Sequence, residues 1–533
     1  MTGKSFFQGA VILGAAGLFI KVLGAIFRIP LGNMIGDIGM SYYQSAYPVY
    51  VFFLTLATAG IPIAISKMVS ERIASGSYYE ANRVFKISFI MLLTISLTSS
   101  AICFFGAGFI TEAITKIPEA KYSMRAIAPA LLIVPMMAAY RGYFQGMQNM
   151  KLTAISQSVE QFFRVACGLS LAYYFLGEGL EYSAAGAAFG ATAGAVAGLL
   201  CVLVIYFRYR DGLAVNIERT KREIAEGARM VLLRIVIIAV PITIGASIMP
   251  IMNIIDAGMV VRVLTSMDYS YEAAKSLYGQ LSGMVGPLIN FPQVLTQAVA
   301  MSLVPAVTIA HKRDDIAFMH ENIKLGLRCA IIVGLPCAFG FITLSKQIMV
   351  MLYPLQRESA ISAAECLVIM GIGVVFLATV QTLTGVLQGI GKQLIPVRNL
   401  AIGALVKLAL SYILIKTPGI NVRGAAIGTV TAFLIASTLN MIAVRRRTGV
   451  KIDLVMTYLK PAFAAVTMSA AVWAAYRGLN LFLGNALSTL ISIALGGLIY
   501  IIMIFLVKAI TKDELAKLPR GNKLVKIINK FIK

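Results

Sequence analysis

Long apolar stretches separated by short polar loops follow one another along almost the whole chain. Each is an unbroken run of about 20 residues, the length that a helix needs to cross about 30 Å of hydrocarbon. The runs do not alternate between polar and apolar residues, so they do not fit the strands of a membrane barrel. The pattern therefore predicts an all-α polytopic membrane protein with about 14 transmembrane helices.

The fourteen predicted helices cover these segments of the sequence: 8–27, 42–66, 87–111, 126–147, 152–176, 184–207, 235–261, 277–310, 329–345, 361–388, 394–415, 424–444, 455–476 and 483–507.

The two halves of the chain share short sequences at a nearly constant spacing. The Gln-Gly pair at 145–146 returns at 388–389 (388 − 145 = 243). The sequence GAAFG at 186–190 returns as GAAIG at 424–428, slipped by five residues (424 − 186 = 238). Such self-similarity indicates an internal duplication.

Two further matches relate a pair of basic residues and a pair of prolines. Arg164 pairs with Lys407 at the spacing of 243 (407 − 164 = 243), and Pro62 pairs with Pro305 at the same spacing (305 − 62 = 243). A duplication of this length in a very apolar chain is typical of a two-lobed transporter, with a substrate path between the lobes. Each copy holds six predicted helices, so both enter the membrane in the same direction.

This arrangement predicts four parts of the chain. An N-lobe of six helices spans 1–207, a basic cytoplasmic linker spans 208–234, and a C-lobe of six helices spans 235–450. Helices 13 and 14 and a basic cytoplasmic tail make up 451–533, and they have no partner in the repeat. These two helices either form a docking groove for a long lipid or brace one lobe.

Composition agrees with a membrane protein. Hydrophobic residues make up 59% of the chain and charged residues 13%, whereas soluble domains carry about 25% charged residues. The mean hydropathy is +0.83. The formal net charge of +24 does not indicate nucleic acid, because the basic residues lie in short loops and in the tail. Their positions predict cytoplasmic loops and two cytoplasmic termini.

Ionisable residues within the predicted helices are the candidates for function, because each costs about 2.5–3.5 kcal/mol on insertion unless it meets a cavity or a partner. Cations outnumber acids among them, which predicts an electropositive cavity suited to phosphate or diphosphate. Lys21 and Lys407 lie too deep in their helices for easy snorkelling. The candidate substrate-binding residues are Lys21, Arg28, Arg141, Glu160, Arg164, Arg262 and Lys407.

Structural explanations also fit several of these residues. Glu160 and Arg164 are spaced i, i+4, so they can neutralise each other on one helix. Arg28 can snorkel to the outer headgroups and Arg141 to the inner ones. The second copy repeats the cation of Arg164 but has Gly403 in place of Glu160.

A candidate cation-coupling site lies on the seventh predicted helix. Asn253 and Asp256 are three residues apart, so their oxygen atoms share one helix face and could hold Na⁺ or take up a proton. A helix-end cap, or an ion pair between Asp256 and Arg262, explains the same residues equally well. We expect Na⁺ or H⁺ as a coupling ion and no other cofactor.

Several chemistries have no sequence support. His311 and His320 fall in one predicted loop, the six cysteines lack paired spacing, and no metal site is expected. The chain has no GxxxxGK[ST] motif for nucleotide phosphates. A membrane glycosyltransferase or polymerase would need a catalytic carboxylate near a membrane face and usually a large loop, and neither stands out. The sequence therefore predicts a transporter rather than an enzyme.

Three sequence stretches carry a resemblance to a known family: KVLGAIFRIPLGNMIGDIGMSYYQSAYPVY, AGIPIAISKMVSE and RGYFQGMQNMKLTAISQSVEQFFRV. They resemble the SpoVB/MurJ branch of the multidrug/oligosaccharidyl-lipid/polysaccharide (MOP) exporter superfamily, and the resemblance extends over essentially the whole chain. It implies two six-helix lobes around a V-shaped cavity and alternating access. It also implies transfer of undecaprenyl-diphosphate-linked sugars, chiefly lipid II, across the bacterial cytoplasmic membrane.

The family's basic pair on its first helix is only partly present. Lys21 and Arg28 resemble that pair, which is usually two arginines, but one residue is inserted between them. Ile29 stands where many lipid II flippases have an acid, so that acidic site does not transfer. Two alternatives remain within the superfamily: a polysaccharide or O-unit flippase, and a multidrug/cation antiporter, which the cationic bias disfavours.

The expected partners follow from the same resemblance. They are an undecaprenyl-diphosphate-linked oligosaccharide in the bilayer and anionic lipids at the cytoplasmic face, with cell-wall synthesis proteins as candidates. No nucleic acid is expected, and we expect a monomer.

Overall fold

The structure is a computed structural model that describes residues 3–220 and 226–510 of the 533-residue chain. The side chains of residues 3–16, 18, 21, 22, 25, 211 and 213 lie outside the described part. The α-helices are α1 Gly3–Thr58, α2 Ile61–Ala74, α3 Tyr78–Phe105, α4 Ala107–Ile110, α5 Lys121–Gly146, α6 Met150–Tyr174, α7 Leu180–Arg219, α8 Ala228–Thr265, α9 Tyr271–Gly279, α10 Gly286–Lys312, α11 Ile316–Leu352, α12 Arg357–Gly389, α13 Leu394–Ile415, α14 Arg423–Thr448, α15 Lys460–Leu479 and α16 Gly484–Leu506.

Within these ranges the chain is helical and contains no strand, which confirms the predicted all-α membrane fold. Among the described residues, twelve helical segments are long and apolar enough to cross a membrane. The count of fourteen stays a prediction. Large apolar side chains on their outer surfaces are exposed, Phe105 at 81% and Phe482 at 86% among them. Hydrocarbon chains are the medium in which such a surface is stable.

The first predicted helix and most of the second, 42–66, lie in one element, α1, of 56 residues, and the end of the second lies in α2. The helix α1 is interrupted at Gly36, whose φ of 65° and ψ of −171° are not helical. In other residues the Cβ atom clashes with the backbone at a positive φ. Glycine has no Cβ atom, so it adopts this conformation readily. The break re-aims the second half of α1 and places Asp37, only 8% exposed, directly after the bend.

The described chain divides into two compact units. The first comprises Met1–Pro287 with Ile415–Val422, and the second comprises Leu288–Leu414 with Arg423–Lys533. In the first unit α1 packs against α5, α6 and α7, and the helices α8 and α9 also pack on α1. The predicted C-lobe began at residue 235, so its first helix, α8, falls in the first unit. The predicted lobe boundaries themselves stay a prediction.

In the second unit, α12 packs between α11 and α14. The helices α15 and α16, predicted helices 13 and 14, pack on each other and both contact α11. Tyr500 of α16 donates its hydroxyl hydrogen to the carbonyl oxygen of Ile332 at 3.0 Å. These contacts brace α11 within its unit.

Close helix approaches at glycine show how the two copies of the repeat correspond. A Cβ atom on Gly142 would lie 2.8 Å from the carbonyl oxygen of Pro62, and one on Gly385 would lie 2.7 Å from that of Ala300. Pro62 therefore corresponds to Ala300 (300 − 62 = 238), and its predicted match to Pro305 is wrong. Five extra residues in the second copy lie after this helix, so the proline match at 243 is a coincidence of sequence.

The match between Arg164 and Lys407 is confirmed by the same kind of contact. A Cβ atom on Gly190 would lie 2.5 Å from the carbonyl oxygen of Arg164, and one on Gly428 would lie 3.3 Å from that of Lys407. Both cations thus occupy the same position in their own copies, on α6 and on α13.

At one close contact between two helices, the glycine lies on opposite helices in the two copies. A Cβ atom on Gly194 would lie 2.4 Å from the carbonyl oxygen of Glu160. In the second copy the glycine is on the other helix, where a Cβ atom on Gly403 would lie 2.6 Å from the carbonyl oxygen of Ala432. Gly403 corresponds to Glu160, so only the first copy carries a side chain at this position.

The predicted cytoplasmic linker is attached to the start of α3 on both sides of the undescribed residues 221–225. Thr220 accepts a hydrogen bond from the backbone N–H of Tyr79 at 2.9 Å. The backbone N–H of Glu226 donates to the Glu80 carboxylate at 3.2 Å, and the Glu226 carboxylate pairs with the buried Arg72. These contacts hold Thr220 and Glu226, on the two sides of residues 221–225, against the turn between α2 and α3.

Candidate functional site

Two of the predicted cations meet at one tyrosine of α1. The guanidinium carbon of Arg28 lies 5.3 Å from the centroid of the Tyr47 ring. The guanidinium carbon of Arg164, on α6, lies 5.4 Å from the same centroid. At these distances both guanidinium groups are attracted to the electron-rich ring face, each by about 0.5–2 kcal/mol. The ring therefore holds two positive charges in one neighbourhood.

Tyr47 belongs to a tyrosine row that sequence reasoning missed. Tyr43, Tyr47 and Tyr50 are spaced i, i+4 and i+7, so they share one face of α1. The rings of Tyr43 and Tyr47 are stacked at 5.5 Å with an interplanar angle of 17°, and the Tyr43 hydroxyl also contacts Arg164. Three tyrosines at helical spacing in an apolar helix were the available signal.

The charge of this pair is not cancelled locally. Among the residues that the structure describes, neither Arg28 nor Arg164 forms an ion pair with a carboxylate. Both side chains are half-buried, so part of each remains accessible at the protein surface. A guanidinium held against a ring keeps its in-plane N–H donors for a further acceptor. The arrangement can therefore bind an anion such as phosphate.

Glu160 is paired with Arg141 rather than with Arg164. Arg141 donates from Nη2 to Glu160 Oε2 at 2.9 Å and from Nε to the Ser156 hydroxyl at 2.9 Å. The proposed i, i+4 neutralisation of Arg164 is therefore wrong. Arg141 is only 8% exposed, and its guanidinium is directed into the protein, so the snorkelling interpretation of this residue is wrong as well.

The structure describes the side chain of only one of the two deep lysines, Lys21 and Lys407. The side chain of Lys21 lies outside the described residues. Lys407, on α13 of the second unit, is 2% exposed and interacts with neighbouring groups there. The structure therefore gives it a buried position with partners. Its predicted contact with substrate stays a prediction.

The candidate coupling residues and Arg262 lie along the C-terminal part of α8. Arg262 is exposed and donates to the carbonyl oxygen of Ala113 at 3.2 Å, a contact that stabilises the end of a neighbouring helix. Asn253 is exposed and Asp256 is half-buried. The described residues contain no group of three or more His, Cys, Asp or Glu side chains that could hold a metal ion. The cation-coupling role stays a prediction.

A buried lysine that the sequence analysis overlooked lies at the centre of a charge cluster in the first unit. The Lys275 ammonium lies 2.8 Å from Glu272 Oε1, 3.2 Å from Glu119 Oε1 and 3.1 Å from the Tyr42 hydroxyl. Tyr271 donates to the other oxygen of Glu119 at 2.9 Å. We call these five residues the Lys275 cluster.

A second polar contact continues from this cluster along the same helices. Asp37, after the break in α1, accepts hydrogen bonds from Ser276 at 2.6 Å and from Gln280 at 3.0 Å. A Cβ atom on Gly279 would lie only 1.8 Å from the Asp37 carbonyl oxygen. The backbones of α1 and α9 therefore touch here, and only glycine fits.

Lys275 was overlooked because the predicted helix began at residue 277, which placed the lysine in a loop. The structure begins α9 at Tyr271, where the Ser270 hydroxyl accepts a hydrogen bond from the Ala273 N–H at 3.2 Å. A serine before a helix is a common N-cap. That signal would have moved the helix start and brought Lys275 into the membrane-embedded set.

Comparisons with known proteins agree with this architecture. A family model described as polysaccharide biosynthesis protein matches residues 6–311, and the MatE model matches residues 283–413. The chain is similar to three proteins of Bacillus subtilis (strain 168). It is 29% identical to the membrane protein YabM, over 98% of this chain and 96% of that protein. It is 26% identical to stage V sporulation protein B, over 98% and 100% of the two chains.

The third relative, lipid II flippase MurJ, is 26% identical over 93% of this chain and 94% of its own length. A solved structure described as lipid II flippase MurJ in an inward closed conformation superimposes with a TM-score of 0.68. It covers 94% of this chain and 98% of that chain at 15% identity, a likeness of fold. The predicted relationship to this superfamily and the prediction of a transporter rather than an enzyme are confirmed.

Proposed function

Because the chain belongs to the polysaccharide biosynthesis protein family of the MOP superfamily, which matches residues 6–311, we propose that it is a flippase for an undecaprenyl-diphosphate-linked sugar. The favoured substrate is lipid II, carried across the cytoplasmic membrane by alternating access. The observation that carries this proposal is the pair Arg28 and Arg164 at Tyr47, two cations without a carboxylate partner among the described residues.

A lipid diphosphate suits this pair for physical reasons. Arginine presents a planar fork of N–H donors that matches phosphate oxygens and binds them through two parallel hydrogen bonds. Charge-assisted hydrogen bonds contribute about 1.5–3 kcal/mol each. Two unneutralised guanidinium groups within a membrane segment are costly unless an anion or water meets them. The headgroup of a diphosphate lipid supplies that anion while its chain remains in hydrocarbon.

The choice of lipid II rests on the relatives. The name of one relative, lipid II flippase MurJ, gives lipid II as its substrate. The family description gives polysaccharide biosynthesis, which supports a second candidate, a flippase for another polysaccharide or O-unit precursor on the same lipid carrier. A multidrug antiporter for organic cations is disfavoured, because two arginines at one ring repel such a substrate.

Orientation and energy source are further parts of the proposal. Both termini and the segment 208–234 lie in the cytoplasm, where their basic residues meet anionic lipids. The chain works as a monomer. With no nucleotide motif in the sequence, transport draws on an ion gradient or on the membrane potential, worth about 2.3 kcal/mol per charge per 100 mV. Asn253 and Asp256 are the candidate residues for Na⁺ or H⁺.

The decisive experiment is complementation of a bacterium depleted of its lipid II flippase. Expression of the chain should restore growth, and lipid II should become accessible to reagents added outside the cells. A second strain, blocked in flipping of a different undecaprenyl-diphosphate-linked unit, tests the alternative substrate. Rescue of the second strain alone would assign the other sugar. Failure in both strains, with the protein inserted in the membrane, would refute the proposal.

A further inference from the structure

The ion pair between Arg141 and Glu160 lies one helical turn from the Arg164 cation. Glu160 and Arg164 share a face of α6, because residues four apart on a helix are neighbours. Glu160 nevertheless reaches across to α5, where Arg141 holds it at 2.9 Å. The side chain of Glu160 is 21% exposed, so it is not confined by burial alone.

Arg141 is unsuited to bind substrate directly. It is 8% exposed, and two of its three nitrogens are engaged, Nε by Ser156 and Nη2 by Glu160. Arg141 must therefore act through the residues that it contacts. The partner that matters for the neighbouring site is the carboxylate, since a carboxylate close to Arg164 would compete with any phosphate.

The pair of Arg141 and Glu160 is present only in the first copy of the repeat. At the spacing of 243 that relates Arg164 to Lys407, Arg141 corresponds to Thr384 and Glu160 corresponds to Gly403. The cation is present in both copies, whereas the acid and the arginine that binds it are both missing from the second copy. Where there is no acid, there is also no arginine to restrain one.

An unrestrained Glu160 would favour Arg164. A glutamate placed four residues before a basic residue on a helix forms the more favourable of the two possible i, i+4 ion pairs. Such a pair would remove one of the two positive charges at the Tyr47 ring. Glu160 can thus either remain hydrogen-bonded to Arg141, which leaves Arg164 unneutralised at the Tyr47 ring, or pair with Arg164 and cancel its charge.

We propose that Arg141 is a positioning residue that holds Glu160 away from Arg164 and keeps the Arg28–Arg164 pair available to a phosphate or diphosphate group. The inference deepens the proposed function and rests on it, because it concerns the same anion site. It assigns Glu160 a role as a restrained competitor of the substrate rather than as a ligand.

Binding to the purified full-length chain tests this directly. The probes are inorganic pyrophosphate and farnesyl diphosphate, titrated by calorimetry into wild type, Arg141→Ala, Glu160→Gln and the double variant Arg141→Ala/Glu160→Gln. Arg141→Ala should weaken binding by about tenfold or more, the loss expected when one charge-assisted contact is removed. Glu160→Gln should bind at least as tightly as wild type. The double variant should recover to within about threefold of wild type, by the same argument.

The double variant separates positioning from simple support of the fold. If Arg141 merely stabilises the helix pair, the double variant stays as weak as Arg141→Ala, and the proposal is overturned. Wild-type binding by Arg141→Ala overturns it as well. Should Arg141→Ala fail to fold, Arg141→Lys, which keeps a charge for Glu160, must retain binding, while Arg141→Gln must lose it and regain it when combined with Glu160→Gln.

Failure of the two proposals can be told apart. A wild-type chain that binds neither probe refutes the anion site itself, and with it this inference. A wild-type chain that binds the probes, together with unchanged binding by Arg141→Ala, refutes the positioning role alone. Thermal unfolding of each variant in the same detergent reports whether a loss of binding is a loss of fold.

Discussion

Lys275 and Glu119 are 156 positions apart in the sequence, yet the lysine ammonium lies 3.2 Å from the glutamate carboxylate. The lysine is completely buried, whereas the Glu119 side chain is 33% exposed. The contact joins α9 to the turn that precedes α5, and Tyr42 brings in α1. Three segments of the first unit are therefore held together through one buried cation.

This unequal burial predicts unequal mutational effects. Removing both acids, in Glu119→Gln/Glu272→Gln, leaves a buried ammonium without its counter-charges and should cost about 3–5 kcal/mol. Lys275→Met should cost less, about 1–2 kcal/mol, because water can solvate the two partly exposed carboxylates. Thermal unfolding in detergent measures both. A larger loss for Lys275→Met than for the double variant would contradict this account.

Gly279 predicts a strong effect of a single methyl group. In Gly279→Ala the new Cβ atom would lie 1.8 Å from the Asp37 carbonyl oxygen, so α1 and α9 must separate. Gly286→Ala, seven residues later in the next helix, is the matched control, since its Cβ atom would meet nothing closer than 3.8 Å. Amide hydrogen exchange around Asp37 should rise in the first variant and stay at the wild-type level in the second. Equal exchange in the two variants would show that this contact is not close in solution.

The attachment of the linker predicts a change in protease sensitivity. Glu226→Ala removes the carboxylate that pairs with the buried Arg72, which should cost about 1–3 kcal/mol of local stability. Limited trypsin digestion should then cut the segment 208–234 faster. Glu218→Ala removes an exposed acid at the end of α7, within the same segment, and should leave the cleavage rate unchanged. Identical rates in Glu226→Ala and wild type would argue that the ion pair does not restrain the linker.

The anion site predicts loss of transport without loss of protein. Arg28→Ala and Arg164→Ala should each reduce flipping about tenfold or more, the loss of one charge-assisted contact to phosphate. Both variants should still insert in the membrane at the wild-type level. Arg229→Ala, at an exposed position in the predicted linker, is the control and should support normal flipping. Flipping is scored by external accessibility of the lipid in the depleted strain, and full activity of both variants would refute the site.

The helical architecture could be predicted because it depends on segment length and apolar composition, which the sequence displays directly. Helix boundaries were less certain. The predicted gap between the first two helices, 28–41, contains the break at Gly36, but helix extends up to this single residue from both sides, so the gap was too wide. The start of α9 at Tyr271 was missed because polar residues there suggested a loop.

Charge partners were the hardest feature to predict. The i, i+4 rule named Arg164 for Glu160, but it considers one helix at a time, and the actual partner, Arg141, belongs to α5. The duplication located Arg164 and Lys407 correctly, because both lie in helices at one spacing. It misplaced Pro62, because an insertion changes the spacing between α2 and α5, and a chance proline at 305 hid that change.

The opposite placement of glycine at the Glu160 approach limits how the two copies could have diverged. In the first copy the glycine at this contact is Gly194, on the facing helix, and residue 160 carries the acid. In the second copy Gly403 itself provides the room against Ala432. A Cβ atom at 403 would meet backbone atoms of residue 432, which no change of the side chain at 432 removes. The second copy could therefore gain an acid at this position only if α13 and α14 moved apart, so the asymmetry of charge between the two copies is tied to how closely their helices approach.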